Sequence, residues 1–206
     1  MPIIDLSFVL VGTTFPLDHG YCLFSAICRV VPGLHGDRRI GVHPIRGRQT
    51  APGVLTLDDR SRLKLRLPSD EIALYIALAG QALELEGHRL QVGIPSVIPL
   101  VPAADLAARL VTFRHALDPV KFEEDVGREL DRHEVKGTPH LVPSCRVPFT
   151  GQPLRRVLKI NGKRVVGFAL RVSGLAPMES IRLQEVGLGG RRRMGCGVFL
   201  SWRGLP

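Results

Sequence analysis

The chain opens on an almost unbroken apolar run. Residues 3–11, IIDLSFVLV, are rich in β-branched side chains, which predicts a central β-strand. In the following FPLDHGYCLFSAICRVVPG, Leu23, Ile27, Val30 and Val31 fall on one helical face, Asp18 can cap the start, and Pro32-Gly33 stop the end. Strands are expected at 38–46, 52–58 and 61–67, and SRLKLRL in the last of these alternates clearly. DEIALYIALAG (70–80) reads as a second helix closed by Gly80, and LELEGHRLQVGIP as a strand pair turning at Glu86-Gly87.

The second half repeats this order without evident sequence identity. AARLVTFR (107–114) reads as a strand, and DPVKFEEDVGRELDRHEV as an amphipathic helix with Val120, Phe122, Val126 and Leu130 inward. RRVLKINGKRVVGFALRVSG is a β-hairpin, because Asn161-Gly162 supplies the positive φ angles of a two-residue turn. A short helix after Pro177, marked by Leu175, Met178 and Ile181, ends at Gly187, and GCGVFLSW is the last strand. The order β, α, β, β, α, β in each half predicts an α+β fold of two ferredoxin-like (RRM-like) domains with antiparallel sheets. The expected domains are 1–100, carrying the candidate catalytic histidine, and 101–206, carrying the basic hairpin and a glycine-rich loop.

Composition narrows the class. With 206 residues, 45% hydrophobic, and a mean hydropathy of +0.13, the chain can bury real cores, which excludes disorder. No run is long enough to span a bilayer, and the apolar start carries Asp5 and no basic leader, so a cytoplasmic protein that does not engage membranes is expected. Cys22, Cys28, Cys145 and Cys196 form no CxxC pair, so the expectation is buried thiols, with no metal and no cofactor.

Charge narrows it further. From Arg146 to the end there are 12 Lys and Arg against 2 acids, whereas the preceding residues hold 16 against 17. The whole net charge of +9 therefore resides in the C-terminal portion. Such polarity favours a polyanionic partner, nucleic acid before an anionic membrane.

The stretch GLGGRRRMGCG concentrates both features, with five glycines around three consecutive arginines. It lies between a helix and a strand, lacks the lysine of a phosphate loop, and runs in the wrong order for a dinucleotide fingerprint. It reads as a loop whose bare backbone, at Gly187, Gly189, Gly190, Gly195 and Gly197, approaches phosphates while Arg191, Arg192 and Arg193 supply charge. The pattern Gly187-Leu188-Gly189, five residues, Gly195-Cys196-Gly197 resembles the C-terminal signature of the RAMP superfamily of CRISPR systems. Within it, the chain resembles the endoribonucleases that cut precursor CRISPR RNA. The likeness extends over the N-terminal strand, a helix ending Gly33-Leu34-His35, the strand IGVHPI and the hairpin KINGKRVVGFAL.

That resemblance implies a chemistry. In such enzymes a histidine just beyond the first helix acts in metal-independent RNA cleavage, and His35, followed by Arg38 and Arg39, matches its setting. The RNA's own 2′-hydroxyl attacks, so the protein must move protons, hold an in-line geometry and stabilise a crowded phosphate. The products would be a 2′,3′-cyclic phosphate and a 5′-hydroxyl, and the enzyme can stay bound to its product. His19 and His43 remain competitors for the catalytic role, Tyr21 is a candidate helper, and His88, His115, His133 and His140 read as surface residues. The supporting cation is open between Arg38 and Arg39 on one side and Lys159 and Lys163 of the hairpin on the other; Arg155, Arg156 and Arg164 complete the candidate RNA-binding set.

Aromatic residues make up only 5% of the chain, which argues against reading single-stranded bases by stacking and for a folded repeat stem held through phosphates. The expected partners are CRISPR repeat RNA and other effector subunits, with the protein a monomer or homodimer. The alternatives are a RAMP subunit that binds guide RNA without cutting it, and a basic structural protein on ribosomal or other RNA.

Overall fold

A computed structural model of the chain describes all residues except 115–116, 146 and 203–206. The chain divides into two compact units: Met1–Leu100 together with Arg193–Gly195, and Val101–Arg192 together with the residues from Cys196 onward.

In the first unit, β1 (Ile3–Val11) and β2 (Thr14–Pro16) precede α1 (Gly20–Val30) and a 3-10 turn, Pro32–His35. Then come β3 (Gly41–Val42), β4 (Arg48–Ala51), β5 (Val54–Thr56), β6 (Arg62–Pro68), α2 (Ile72–Tyr75), β7 (Ala82–Leu85) and β8 (His88–Pro99). The main sheet runs β3-β6-β1-β8-β7, antiparallel throughout, and β2-β5-β4 form a small separate sheet. The strand read as central is central: β1 pairs on both edges, and its Ile4, Leu6 and Phe8 are buried in one core with Leu23, Phe24, Ala26 and Ile27 of α1.

In the second unit, β9 (Leu106–Val111), α3 (Pro119–Arg132), β10 (Thr138–Leu141), β11 (Arg155–Ile160), β12 (Lys163–Ser173), α4 (Pro177–Val186) and β13 (Leu200–Ser201) follow in order. The sheet runs β10-β12-β9-β13, with β11 also paired to β12. In each unit the first strand thus sits inside the sheet, between a strand from the middle of the unit and one from its end, which is the ferredoxin-like arrangement. The Asp118 carboxylate accepts from the Val120 and Lys121 amides at the start of α3, with Pro119 at the first helical position. Phe113, Phe122 and Phe168 then make a run of ring contacts, 5.3 and 5.0 Å between centroids, that ties α3 to the sheet.

Several expectations need correction. The helix expected over 70–80 is one α-turn, Ile72–Tyr75, between two 3-10 turns, and Leu74 and Ile76 remain exposed. The strand expected at 38–46 shrinks to Gly41–Val42, and the last strand to Leu200–Ser201. Val120 and Met178 point to solvent, 65% and 79% exposed, because each lies at the first turn of its helix, ahead of the residues that reach the core. β10 had no expected counterpart, since Pro139 and Pro143 disguise it. α1 begins at Gly20 with His19, not Asp18, in the capping position. Cys145 is exposed rather than buried, while Cys196 is buried. Both reversals at Glu86-Gly87 and Asn161-Gly162 adopt positive φ at both residues, as their sequences require.

Candidate functional site

α1 ends where Pro32 follows it, and the chain continues into the 3-10 turn Pro32–His35. Leu34 is buried and pins the turn to the first core; His35, next to it, is exposed. The His35 ring lies against that of Phe24, with centroids 5.9 Å apart and planes at 31°. The final carbonyls of a helical turn have no partner within it, and a cation can satisfy them. Here Arg193, which belongs to the same unit, donates from Nη1 to the Leu34 carbonyl at 3.1 Å and also to the His35 carbonyl. Its guanidinium sits 5.5 Å from the centroid of the Phe24 ring.

The two competing histidines have different surroundings. His19 is buried; Nδ1 donates to the Pro16 carbonyl at 2.9 Å, and Nε2 accepts from the Ile45 amide at 2.9 Å. With both nitrogens engaged by backbone, the ring joins β2 to the segment after β3 and has no atom left for a substrate. His43 is buried as well, its Nε2 3.1 Å from Asp5 Oδ1. Asp5 in turn accepts a two-pronged contact from Arg66, Nε to Oδ1 at 2.8 Å and Nη2 to Oδ2 at 3.0 Å. Burial pushes the Asp5 carboxyl up, but hydrogen bonds and charge from His43 and Arg66 outweigh it and hold the group well below the usual carboxylate range. Burial pushes His43 below the ordinary imidazole value, against the pull of Asp5. Both rings thus sit inside the first unit, held by protein groups rather than presented to solvent. The sequence marks Asp5 only as a polar break in an apolar run and gives no place to Arg66, although an aspartate inside an apolar central strand is itself a signal that a buried cation must answer it.

Tyr21 is half-buried and lies one turn before Phe24 on the same helix face. Arg38 is exposed, whereas Arg39 is committed to Asp37, at 2.6 Å between Nη2 and Oδ2, and to Glu71. His88 and His133 are half-buried and His140 is exposed, while His115 lies outside the described residues.

The glycine-rich loop has a different explanation from the one its composition suggested. Gly187, Gly189, Gly195 and Gly197 all have positive φ, at 66°, 70°, 85° and 64°. A β-carbon on Gly197 would stand 2.0 Å from the Leu188 carbonyl oxygen, and one on Gly187 2.3 Å from that of Gly197. The Leu188, Gly190 and Gly197 amides donate to the carbonyls of Gly197, Thr112 and Leu110. These glycines therefore fold the loop, and those amides are not turned to a phosphate; Gly190, with open space around it, retains the exposed position. Gly197→Ala is expected to lower stability by at least about 2 kcal/mol, since it adds both left-handed strain and backbone overlap. Urea unfolding reads this directly, and an unchanged midpoint would show that the loop has another conformation.

The second unit carries the other candidate cations. In the hairpin, Lys159 stands directly opposite Arg164, Arg155 opposite Phe168, Arg156 opposite Gly167 and Ile160 opposite Lys163. Arg155, Lys159, Lys163 and Arg164 are exposed and Arg156 half-buried. Arg191 is exposed, with its guanidinium 3.4 Å from the Thr112 hydroxyl, and Arg192 is half-buried.

Among the described residues, no group of three or more His, Cys, Asp or Glu side chains could hold a metal ion. Nor is any helix among them long and apolar enough to cross a membrane.

Comparison with known proteins completes this description. The family model described as Cas6 Crispr matches residues 4–204. The CRISPR-associated endonuclease Cas6 of Myxococcus xanthus (strain DK1622) is 42% identical over 200 residues, covering 97% of this chain and 82% of that protein. A solved structure of a Cas6-related protein from Pyrococcus furiosus aligns with a TM-score of 0.71 at 12% identity, over 98% of this chain and 99% of that one. A RAMP protein binding different RNA substrates aligns with a TM-score of 0.65 at 14% identity, over 97% and 98%. The structural likenesses carry the fold, and the sequence match carries the kinship: the chain belongs to the Cas6 family.

Proposed function

We propose that the protein is an endoribonuclease that cuts CRISPR precursor RNA within its repeats, in the cytoplasm, by attack of the 2′-hydroxyl on the adjacent phosphate. One observation carries the assignment of the site. Of the three histidines weighed for catalysis, His35 is exposed on an anchored turn, whereas His19 is buried with both ring nitrogens bound to backbone and His43 is buried with Nε2 on Asp5.

The chemistry requires two proton transfers, one from the 2′-hydroxyl and one to the departing 5′-oxygen. His35 takes one, and Tyr21, on the helix face that carries Phe24, is the candidate for the other. Arg38 is favoured over Arg39 as the cation that stabilises the crowded phosphate, because Arg39 is already held by two carboxylates. The exposed Arg155, Lys159, Lys163 and Arg164 of one hairpin put like charges close together, a grouping that suits a phosphate backbone. This supports the second unit as the surface that holds the repeat stem. Other CRISPR effector subunits are further candidate partners.

The test is cleavage of labelled repeat RNA in EDTA. A cut at one position is expected, leaving a 2′,3′-cyclic phosphate and a 5′-hydroxyl, and a 2′-deoxy nucleotide at that position should block it. A 3′-hydroxyl with a 5′-phosphate, or cleavage restored only by magnesium, would overturn the mechanism. Tight binding without cleavage of any repeat would instead establish the RNA-binding RAMP subunit.

A further inference from the structure

The arginine triplet of the glycine-rich loop attracts attention as a phosphate-binding cluster, yet its third member is engaged elsewhere. Arg193 donates to the carbonyls of Leu34 and His35 and lays its guanidinium near Phe24, a core residue whose ring also lies against that of His35. The same cation therefore grips the catalytic turn by its backbone and backs the aromatic ring against which the imidazole rests. We infer that Arg193 is a positioning residue for His35, and that its role is to fix the imidazole rather than to bind RNA. This inference rests on His35 as the acid–base group proposed above.

The physical case has three parts. The turn is a single 3-10 turn of four residues, Pro32–His35, too short to hold a side chain by its own hydrogen bonds. Its Leu34 is anchored in the core, but His35 and Gly36 are exposed, and the peptide between them is held within the turn by a single hydrogen bond, from the Gly36 amide to the Gly33 carbonyl at 3.3 Å; Arg193 adds the hold on its carbonyl side. One amino group of the guanidinium, Nη1, serves both carbonyls while the delocalised cation lies 5.5 Å from the Phe24 centroid, an arrangement that the compact ammonium of a lysine, on its differently shaped stem, does not reproduce. The residues on either side also fix where Arg193 lies: Met194 packs against the first core, and Gly195, at φ 85°, faces Pro44 so closely that a β-carbon would come within 3.0 Å of it. The glycine-rich loop thus delivers an arginine to the far end of the sequence from which it comes.

The experiment compares wild type, Arg193→Ala, Arg193→Lys, Phe24→Leu, His35→Ala and the double variant Arg193→Ala/His35→Ala on repeat RNA under single-turnover conditions. Arg193→Ala is expected to cut about 30-fold more slowly, a misplaced group of this kind costing up to about 10²-fold. Its RNA affinity and the salt dependence of that affinity should stay at the wild-type level, because no phosphate contact is lost. Arg193→Lys should recover only part of the rate, and Phe24→Leu should lose rate in the same direction. In the double variant the loss from Arg193→Ala should vanish, since a group acting through His35 has nothing left to act on. A second measurement needs no RNA: the His35 imidazole resonance of the folded protein should shift or broaden in Arg193→Ala while thermal unfolding stays cooperative.

Wild-type cleavage rate in Arg193→Ala, a shallower salt slope, or an equal loss in the His35→Ala background would each overturn the inference while leaving His35 as the acid–base group. Full activity in His35→Ala would overturn that assignment itself and the inference with it. An imidazole resonance untouched by Arg193→Ala would refute the positioning role even for a protein that cuts nothing.

Discussion

His35→Ala is expected to slow repeat cleavage by about 10²- to 10⁴-fold, the range over which a positioned acid or base contributes. RNA affinity should change less than about 3-fold, because the substitution removes a group needed in the transition state and not one that holds the ground state. The reason is local. The ring is exposed, its backbone is held by Arg193 and its face by Phe24, so alanine removes the imidazole without disturbing the packed Leu34 beside it. His19→Ala and His43→Ala should behave differently. Each breaks buried hydrogen bonds, so any loss of cleavage there should be accompanied by a lower unfolding midpoint, whereas His35→Ala should unfold like wild type. Single-turnover rates and urea titrations on the three variants separate the cases. Cleavage at the wild-type rate in His35→Ala would remove the turn after α1 from the mechanism.

The second large effect is on stability. Asp5→Ala is expected to destabilise the first unit by about 3–5 kcal/mol, since it leaves the Arg66 guanidinium buried with no carboxylate opposite it. Against a total of about 5–15 kcal/mol for an ordinary domain, that is enough to unfold a large share of molecules near 37 °C. The pH dependence follows from the direction of the two shifts. Asp5 titrates lower in the folded chain than in the unfolded one, so its contribution is complete above the unfolded value near 3.8 and is lost as pH falls towards the folded value. His43 is also shifted down, so the unfolded chain takes up its proton first, and stability begins to fall as pH drops below about 6.5. Denaturant midpoints from pH 7 to 3 should therefore decline in wild type in two stages, and the gap to Asp5→Ala should narrow in the lower one. A gap under about 1 kcal/mol at pH 7 would mean that water reaches the pair and screens it. Replacing all three residues, as Asp5→Leu, His43→Phe and Arg66→Met, should recover much of the loss, because a buried ion cluster and a packed apolar one are of similar worth.

How much of this was legible in the sequence can be judged from particular residues. The hairpin at Asn161-Gly162, the cap at Asp118 and the buried strand at residues 3–11 are local: turn chemistry, a carboxylate ahead of free amides, and a β-branched apolar run each act through near neighbours. The helix expected at 70–80 failed because its apolar residues serve 3-10 turns that leave Leu74 and Ile76 exposed, and periodicity by itself does not distinguish those from one continuous helix. The histidines divide in the same way. His35, His19 and His43 look alike as letters near glycine, proline and valine, and their separation into one exposed ring and two buried ones depends on partners 3 to 38 positions away.

By itself, the sequence determined the ferredoxin-like alternation of the main strands and helices, the gathering of positive charge from Arg146 onward, and the presence of a motif that demands glycine. Only the tertiary structure decided why the glycines are there and what each of Arg191 and Arg193 touches. The glycines of the motif adopt left-handed backbone angles and, at Gly187 and Gly197, let carbonyls approach to distances that no β-carbon tolerates, while Arg193 meets a turn that lies 158 residues earlier in the chain. Composition records that a cation is present, but the carbonyl it answers is set by the fold, because charge acts through space and not along the chain.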